Sequence, residues 1–533
     1  MASSASLLSL ALCSLLLFQV CSAQFETGRV WGSSRSQRKS QQQNECQFRR
    51  INAQEPDRRI TSEAGITEIW DENDDQFRCA GVAAIRHTIE QRGLLLPAYS
   101  NAPKLIYVDQ GKTPISSLPL FFNDSVFHLL ALFFYGLCFS FTCSVFQMWT
   151  AGRGYHSAAI PGCPETYQSE QESESRDPRQ GSRDQHQKIR KIRQGDIIAI
   201  PAGVADWFYN DGQSPLVLVQ IMDTSNFANQ LDQNFRKFFL AGNPQREIQG
   251  QRGQPSRHLY RGSEKGRGGG GGQEQRSGNI FQAFDEQFLA EAFNIDTDLA
   301  RRIKNENDNR GIIVRVEEQL EFLSPEFSEE ERRQSSQGGG RTGRWSANGI
   351  EETFCTAKLR HNINDPSRAD IFNPRAGRLT TVNSFNLPIL RYIQLSAQKG
   401  FLYRNAIMTP HWNMNAHSIN YLTRGSGQIQ IVNENGESVF DGQVQEGQII
   451  TAPQNFAVIK RAGSDGLEWI SFKTNDNAKI NQIAGRASTI RAIPQDVLAN
   501  AFAISREEAQ RIKFNRREIG IFSPETRSRG RRD

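Results

Sequence analysis

Short apolar runs, separated by turn residues, recur along the chain. Residues 428–432 alternate polar and apolar positions, and the apolar residues 449–450 and 469–472 each follow a turn signal. Runs of this length, broken by Gly, Pro and Asn, are typical of β-sandwiches and β-barrels. Residues 497–502 instead place apolar side chains at i, i+1, i+4 and i+5, the spacing of one helix face. The pattern predicts an all-β fold in which each domain ends in a small helical unit.

The pattern occurs twice, because three segments of the first half resemble three segments of the second. The offset between partners falls from 314 to 209 residues along the chain, so the first copy contains extra loop residues. We therefore predict two jelly-roll-like β-barrels in tandem, within residues 24–327 and 349–533. The matching pairs are 104–111 with 418–425, 195–201 with 447–453, and 288–295 with 497–504.

Three segments between these runs are poor in the apolar side chains that a packed core needs. Residues 168–187 are rich in Glu, Ser, Arg and Gln; residues 243–278 include five consecutive glycines; and residues 328–348 separate the two copies. Such compositions cannot offset the entropy cost of ordering, so they predict surface loops and a linker. Their arginines fit solvated loops better than a nucleic-acid site, and no nucleic-acid partner is predicted.

The first 23 residues predict a secretory signal peptide. Residues 7–20 are apolar, and small residues at 21–23 precede a cleavage point between Ala23 and Gln24. A signal peptide directs the chain into an oxidising compartment, where disulfides persist.

Four of the eight cysteines remain for disulfides in the body of the chain. Cys13 and Cys21 lie in the signal peptide, and Cys138 and Cys143 lie in an apolar segment at residues 112–152. The others lack the close spacing of a zinc site, so two disulfides are predicted, with three possible pairings. These four are Cys46, Cys79, Cys163 and Cys355.

Charge differs between the two copies. Residues 349–533 contain 24 Lys and Arg against 17 Asp and Glu, a net charge of +7, which leaves −2 for residues 1–348. The whole chain has a net charge of +5 and 23% charged residues, so it is no extreme polyelectrolyte. With 49 Arg and 44 Gln but only 5 Met, the chain is rich in side-chain nitrogen.

The first copy contains a segment that resembles the second motif of the cupin superfamily. Gly195, Pro201 and Gly203 match this motif, but Asp206 stands where the superfamily usually has a metal-binding histidine. In the second copy, Val458 stands at the same place. A catalytic cupin needs about three histidines and one carboxylate around a transition metal.

The first motif of the superfamily is also incomplete. His411 matches its first ligand, but Asn413 replaces the second histidine and Ser418 replaces the glutamate. One imidazole in the second barrel and none in the first cannot hold a metal ion, so no metal, cofactor or catalytic residue is predicted. His411 is interpreted as a hydrogen-bonded barrel histidine, and the protein as no enzyme. The first copy has Ala98, Ser100 and either Lys104 or its neighbour at these positions.

Four longer segments carry a more specific resemblance. Residues 46–53, 93–99, 160–167 and 348–355 are similar to segments of the legumin-type (11S) globulins, which are seed storage proteins with two cupin domains. The resemblance implies a nutrient reservoir that holds nitrogen as Arg, Gln and Asn and is degraded at germination. It also implies transport through the secretory pathway to protein storage vacuoles.

The resemblance further implies how the chain is processed. An asparaginyl endopeptidase cuts such precursors at a bond that matches Asn348–Gly349, which leaves an acidic and a basic chain. By resemblance, Cys163–Cys355 joins the two chains and Cys46–Cys79 lies within the acidic chain. Like subunits assemble as trimers, and the trimers associate into hexamers after cleavage. The charge split falls at this bond, and an Asn-Gly pair is a common accessible turn.

Residues 112–152 interrupt the resemblance. The offsets at Gly111 and Gly154 differ by 41 residues, and residues 125–152 contain no Asp, Glu, Lys or Arg. A run this long usually predicts a transmembrane helix, but a span here would place two strands of one barrel hairpin on opposite sides of a bilayer. A partner-binding insertion should show polar periodicity, which is weak here. The favoured interpretation is a translated non-coding segment, such as a retained intron, and no membrane contact is then predicted.

Two other classes of function are alternatives to storage. A metal-dependent cupin enzyme requires stoichiometric Mn, Fe, Cu or Zn in the purified protein, and the missing ligands argue against it. A membrane-anchored cupin protein rests on residues 125–146 alone and should resist alkaline carbonate extraction.

Overall fold

The structure, a computed structural model, covers the two repeated halves of the chain. It describes residues 46, 48–110, 153–163, 186–244, 278–318, 320, 355 and 357–524. The predicted signal cleavage between Ala23 and Gln24, the Asn348–Gly349 bond and the segment 112–152 lie outside these ranges. So do the linker 328–348 and most of the loops 168–187 and 243–278.

The first half forms two β-sheets that face each other as a barrel. Its strands are β1 (Arg58–Ser62), β2 (Gly65–Ile69), β3 (Val82–Ile89), β4 (Gly93–Ser100), β5 (Lys104–Gln110), β6 (Arg153–Ala159), β7 (Ile189–Arg193), β8 (Asp196–Ile200), β9 (Ala205–Tyr209), β10 (Leu216–Asp223), β11 (Lys237–Phe239) and β12 (Ile313–Arg315). One sheet runs β1-β2-β3-β10-β5-β8, and the facing sheet runs β11-β4-β9-β6-β7 with β12 beside β4.

The second half contributes one edge strand to the first barrel and then forms its own. The edge strand is β13 (Arg360–Asn362), and the others are β14 (Ile371–Asn373), β15 (Gly377–Val382), β16 (Ser396–Leu402), β17 (Ile407–Asn413), β18 (Ser418–Val432), β19 (Ser438–Gln445), β20 (Ile449–Ala452), β21 (Ala457–Lys473), β22 (Ile480–Gln482) and β23 (Ile521–Phe522). Because β21 pairs with β17 through its first half and with β16 through its second, the sheet curves into a barrel. The predicted fold of two tandem β-barrels is confirmed.

A continuous apolar core fills the first barrel and extends into the second. β8 and β10 are buried along their whole length, whereas β19 buries only Val439 and Val444. A strand that is buried on both faces has a nearly continuous run of apolar residues, which explains why polar and apolar residues do not alternate along β8. Leu390, Ile419 and Phe472 of the second half belong to the same core cluster as the first barrel.

A helical unit follows most of the strands of each barrel. The first unit contains α2 (Glu286–Phe293) and α3 (Thr297–Ile303), and the second contains α5 (Thr489–Ala492), α6 (Gln495–Phe502) and α7 (Arg506–Phe514). Two short helices, α1 (Asp75–Ala80) and α4 (Leu390–Ile393), lie between barrel strands. The α2–α3 unit buries Leu289, Ala290 and Ala300, and the α6–α7 unit buries the residues 209 positions later, Leu498, Ala499 and Ala509. The two helical units therefore bury equivalent residues, which are related by the offset of 209 found in the sequence.

The two barrels exchange backbone segments. From the first half, the N–H of Ile51 donates to Val439 O (2.8 Å), and Gln54 and Ile449 exchange two backbone hydrogen bonds of 2.8 Å each. From the second half, β13 pairs with β8 of the first barrel. Each barrel thus contains hydrogen-bonded backbone from both halves of the chain.

The segment 112–152 falls within a strand that the second barrel keeps whole. β5 pairs with β8 and β10, and β6 pairs with β7 and β9. In the second barrel, the continuous strand β18 makes both sets of contacts, with β20 and β21 along its first half and with β19 and β21 along its second. β5 and β6 are therefore the two halves of one barrel strand.

This pairing corrects one expectation. β5 and β6 do not pair with each other in the described residues, so they are not the two arms of a hairpin. In β18 a single residue, Gly425, separates the two matching halves; its φ is +76°, and an added Cβ would lie 2.3 Å from Gly466 O. Gly111 matches Gly425 in the sequence alignment. Among the described residues, no helix has the length and apolar character needed to cross a membrane.

We expect deletion of residues 112–152, which joins Gly111 directly to Arg153, to give a soluble and cooperatively unfolding protein. The deletion restores the one-glycine connection of β18, whereas the chain with the insert exposes apolar surface and should aggregate. Soluble yield, size-exclusion profile and thermal unfolding of the two proteins measure the difference.

A deletion of residues 113–152 provides the matched control for this experiment. It leaves one extra residue, Lys112, between the half-strands, and a one-residue slip turns every side chain of β6 to the opposite face. We expect this variant to fold poorly. Equal solubility of the chain with the insert and the 112–152 deletion would contradict our interpretation of the segment.

Candidate functional site: the interiors of the two barrels

A buried ion pair spans the first barrel where a cupin metal would lie. Lys104 begins β5 in one sheet, Asp206 lies on β9 in the other, and Lys104 Nζ donates to Asp206 Oδ1. The two side chains are 3% and 2% exposed. Asp206 is the residue that replaces the motif histidine, so its carboxylate is neutralised by an internal ammonium group.

A histidine missed in the sequence lies beside this pair. His156 Nε2, on β6, is 4.0 Å from Asp206 Oδ2. Burial lowers the pKa of His156 well below its ordinary value, and the positive charges of Arg190, Lys104 and Arg360 lower it further. The expectation that the first barrel has no imidazole near this position was wrong, because His156 comes from the neighbouring strand and lies outside the motif spacing.

Other polar side chains are also buried in the first barrel, among them His87 and Lys237. His87 Nδ1 lies 2.9 Å from Thr67 Oγ1, and burial, with the charges of Lys237 and Lys104, keeps the pKa of His87 well below its usual range. Burial also lowers the pKa of Lys237 to about 7; Lys104 acts in the same direction and Asp206 opposes it. A metal dication here would compete with Lys104 for the Asp206 carboxylate.

The second barrel places an ammonium group at the altered motif positions. Lys473 Nζ, at the end of β21, donates to Asn413 Oδ1 (2.7 Å) and to Ser418 Oγ (2.9 Å). Asn413 and Ser418 are the residues that replace the second histidine and the glutamate of the motif. Burial lowers the pKa of Lys473 to about 7. Two former ligand positions thus bind a lysine of the same chain.

A second buried lysine completes this network. Lys460 Nζ donates to Asn420 Oδ1 (2.7 Å), which also accepts from Ser471 Oγ (2.7 Å). The same Nζ lies 4.3 Å from the centre of the Trp469 ring, a cation–π distance. Burial lowers the pKa of Lys460 well below its ordinary value, and the nearby Lys473 lowers it further.

His411 is the hydrogen-bonded barrel histidine that the sequence predicted. Its Nδ1–H donates to Thr409 O (2.8 Å), and the side chain is buried. Burial lowers the pKa of His411 to about 3; the hydrogen bond to Thr409 opposes this shift, and Lys460 and Lys473 add to it. The imidazole is therefore neutral at any physiological pH.

A cleft of about 280 Å³ opens beside His411. Thr409, Gln398, Met408 and Ile480 contribute to its mixed polar and apolar lining. Asp370 also lines this cleft, and the neutral imidazole offers hydrogen bonding there. The arrangement supports packing and weak hydrogen bonding rather than chemistry.

In the described parts of both barrel interiors, no three His, Cys, Asp or Glu side chains bring their ligand atoms together. The one such group in the described chain consists of Cys46, Cys79 and His417, outside the altered motif positions. Lysines instead fill the barrel centres. The sequence analysis missed Lys473 and Lys460, because a lysine at the end or in the middle of an apolar strand is usually interpreted as a surface residue. The apolar residues beside each lysine in its strand were the available signal.

Two disulfides lie in the described residues. Cys46 is bonded to Cys79, with a Cα–Cα distance of 4.8 Å, and Cys163 is bonded to Cys355, with a Cα–Cα distance of 5.4 Å. Of the three pairings that the sequence left open, these are the two bridges implied by the 11S resemblance. The second bridge joins the two halves of the chain.

Comparison with known families defines the class of protein. The family model described as Cupin matches residues 51–121, 138–246 and 361–510. The match breaks at residues 122–137, inside the segment 112–152. The chain is a cupin with two barrels, each of which buries a lysine at the altered motif positions.

Relatives that align over almost the whole chain define the particular family. Identity is 46% to 11S globulin seed storage protein 1 of Carya illinoinensis, across 98% of this chain and 97% of that one. It is 47% to the 11S globulin seed storage protein Ana o 2.0101 of Anacardium occidentale, across 97% and 98%. The crystal structure of pumpkin seed globulin has a TM-score of 0.70 at 43% identity, across 90% of this chain and 99% of that one. The chain belongs to the 11S globulin, or legumin, family.

Family membership settles the broad function. The alignments with these seed storage proteins span nearly the full length of both chains. This chain is accordingly a seed storage protein and not an enzyme. The metal-dependent enzyme and the membrane-anchored protein, considered from the sequence, have no support among these relatives.

We expect His411→Gln to reduce the acid sensitivity of folding. Because the folded pKa of about 3 lies below the ordinary 6.5, the unfolded chain binds a proton between these values and the folded chain does not. Stability is complete above pH 6.5 and falls as the pH drops toward 3, by about 3 kcal/mol between pH 7 and pH 4 from this residue. Urea unfolding of wild type and variant at both pH values measures the difference.

The value at pH 7 is the internal control, since the imidazole is neutral there in the folded state and mostly neutral in the unfolded state, and it reports mainly the change in packing. An identical loss of stability in wild type and variant between pH 7 and pH 4 would contradict the role assigned to His411.

Proposed function

We propose that this chain is a nitrogen reservoir of seeds, which is cut at Asn348–Gly349 into two disulfide-linked chains and stored as a closed oligomer. Its 49 Arg and 44 Gln carry side-chain nitrogen that proteolysis at germination releases. The proposed compartment is the protein storage vacuole, which the chain reaches by means of the signal peptide predicted in residues 1–23. Cleavage between Ala23 and Gln24 removes this peptide.

The observation that carries the proposal is the covalent bridge across the proposed cut. Cys163 and Cys355 are 192 residues apart in sequence, and Asn348–Gly349 lies between them. Cleavage at this bond therefore yields an acidic chain and a basic chain that remain one covalent molecule. An asparaginyl endopeptidase is the proposed processing enzyme.

Noncovalent contacts also support the persistence of the pair after cleavage. Asp196 of the first barrel is 1% exposed and accepts hydrogen bonds from Arg360 Nη1 (2.7 Å) and Asn362 Nδ2 (2.8 Å). Both partners lie on β13, which belongs to the proposed basic chain. A charge-assisted contact with a buried carboxylate is stronger than a surface ion pair, so β13 should stay in the first barrel.

Oligomer formation is supported by apolar side chains on the two helical units. Phe288 and Phe293 of α2 are 70% and 52% exposed, and the equivalent Val497 and Phe502 of α6 are 53% and 52% exposed. Exposed apolar patches of this kind mark interaction surfaces. We propose that the α2–α3 unit of one copy packs on the α6–α7 unit of the next. Such unlike surfaces close into a ring, here a trimer, and two trimers form a hexamer after cleavage.

We expect asparaginyl endopeptidase to convert the mature chain into fragments 24–348 and 349–533 that separate only with reductant. Asn348→Gln should leave one chain, because the protease requires the asparagine. Intact mass with and without reductant is the measurement, and the mass of the acidic chain from seed also shows whether residues 112–152 are present.

The double variant Cys163→Ser, Cys355→Ser is the control for the bridge. Its fragments should separate under denaturing conditions without reductant and should still elute together under native conditions, held by β13. A cleaved wild-type protein whose chains separate in denaturant without reductant would rule out this bridge.

We expect Phe288→Asp and Val497→Asp each to abolish the trimer, because each removes one of two unlike surfaces. A mixture of the two variants retains one intact pair of surfaces and should give a 1:1 dimer that cannot close. Sedimentation velocity distinguishes monomer, dimer and trimer. Phe372→Asp, at a residue that is 63% exposed outside the helical units, is the matched control and should leave the trimer intact. A trimer that survives either helical variant would contradict the arrangement.

A further inference from the structure

Two cysteines and a histidine meet at the junction of the two barrels. Cys79 Sγ, on α1, lies 4.0 Å from Nδ1 of His417, which directly precedes β18. The ligand atoms of Cys46, Cys79 and His417 all lie within 4.8 Å of one another. Within the described ranges, this is the one group of metal-ligating side chains so close together. In the oxidised protein its sulfur atoms are bonded to each other and are poor ligands, because metals bind the thiolate.

His417 is held with a ligand nitrogen on the side of the cysteines. The backbone N–H of Gln454 donates to its Nδ1 (3.3 Å), so Nδ1 is an acceptor and the ring proton is on Nε2. The backbone N–H of His417 donates to Thr474 Oγ1 (2.9 Å). The side chain is 8% exposed, and its surroundings therefore fix both position and tautomer.

The cysteines are anchored independently of their disulfide. The Gln76 side chain on α1 donates to Asn52 O (2.9 Å) and accepts from the N–H of Thr451 (3.2 Å) in the second barrel. Two residues after Cys46, Phe48 packs edge-on against Phe456 at 6.5 Å between ring centres. Breaking the S–S bond therefore leaves both cysteines beside His417.

We propose that the Cys46–Cys79 disulfide conceals a soft-metal site, which opens on reduction and binds Zn²⁺, Cd²⁺ or Cu⁺ through Cys46, Cys79 and His417. A dithiol or phosphine reductant supplies two electrons, breaks the S–S bond and leaves two thiols. A divalent ion then displaces both thiol protons, replaces the Gln454 N–H at the lone pair of His417 Nδ1, binds the two thiolates and this nitrogen, and leaves the fourth position to water.

The distances suit this ligand set. Metal–sulfur and metal–nitrogen bonds of about 2.3 and 2.1 Å around a tetrahedral ion place sulfur and nitrogen roughly 3.6 Å apart and the two sulfurs roughly 3.8 Å apart. The 4.0 Å between Cys79 Sγ and His417 Nδ1 is already close to the first value. The sulfurs need to separate, which side-chain rotation allows once the bond is broken. Cys46 is half-buried and gives access from solvent.

The test is a Cd²⁺ titration of the mature chain without residues 112–152, the form expected to be soluble and free of Cys138 and Cys143, before and after phosphine reduction. Thiolate-to-cadmium absorption in the ultraviolet reports binding, and a pH-sensitive dye reports two protons released per ion at this site. We expect no such absorption at the site before reduction and tight binding of one ion there afterwards. His417→Gln should weaken that binding by more than the 10–100-fold that loss of an outer-shell partner costs.

Two variants separate a ligand from a structural role. His417→Cys supplies a third thiolate and should restore Cd²⁺ binding. His186→Gln is the matched control at the other disulfide, because His186 adjoins Gln187, whose side chain donates to Cys163 O (3.0 Å), and it should bind like wild type.

Three results would overturn the proposal. The first is equal Cd²⁺ binding by wild type and His417→Gln after reduction. The second is the same absorption without reduction. The third is loss of the β-sheet circular-dichroism spectrum on reduction alone, since the site needs a folded second barrel to hold His417. None of these would affect the storage function, which rests on the relatives and not on this cluster.

Discussion

The exchange of backbone between the two barrels is the constraint on which the rest of the molecule depends. The second barrel binds the segment near Ile51 and Gln54, and the first barrel takes β13 as an edge strand. An edge strand supplied by another part of the chain satisfies hydrogen-bond groups that would otherwise face solvent. Neither half is therefore complete alone. The bridge at Cys163–Cys355 adds a covalent link between the halves to contacts that already exist.

In both barrel centres a buried lysine contacts the residues at the altered motif positions. Lys104 pairs with Asp206 in one barrel, and Lys473 binds Asn413 and Ser418 in the other. Polar groups left behind when a metal ligand set decays would be costly if buried without partners. A lysine supplies the hydrogen bonds, so the altered motif positions remain satisfied. This solution suits a storage protein, which needs a compact fold but no reaction.

The segment 112–152 is informative because of where it lies. β5 and β6 form the two halves of one barrel strand, which β18 presents intact. Insertions are tolerated at exposed loop tips, where few backbone hydrogen bonds are affected. Here the insertion separates two halves of a strand that pair with neighbours on both sides. The family match also breaks inside this segment, at residues 122–137.

The sequence by itself determined the repeat, the β-rich class and the loss of the metal ligands, because strand periodicity, turn residues and motif spacing are local properties of the chain. Without the family resemblance, the sequence was compatible with three cysteine pairings. It also led to the wrong expectation that β5 and β6 are the two strands of a hairpin. It also missed His156 beside Asp206 and the lysines that fill the second barrel. Those facts depend on which strands face each other across a barrel, and side chains far apart in sequence meet only when the sheets close. The tertiary structure alone therefore decided how each buried charge is balanced, and which cysteines and histidine share a site.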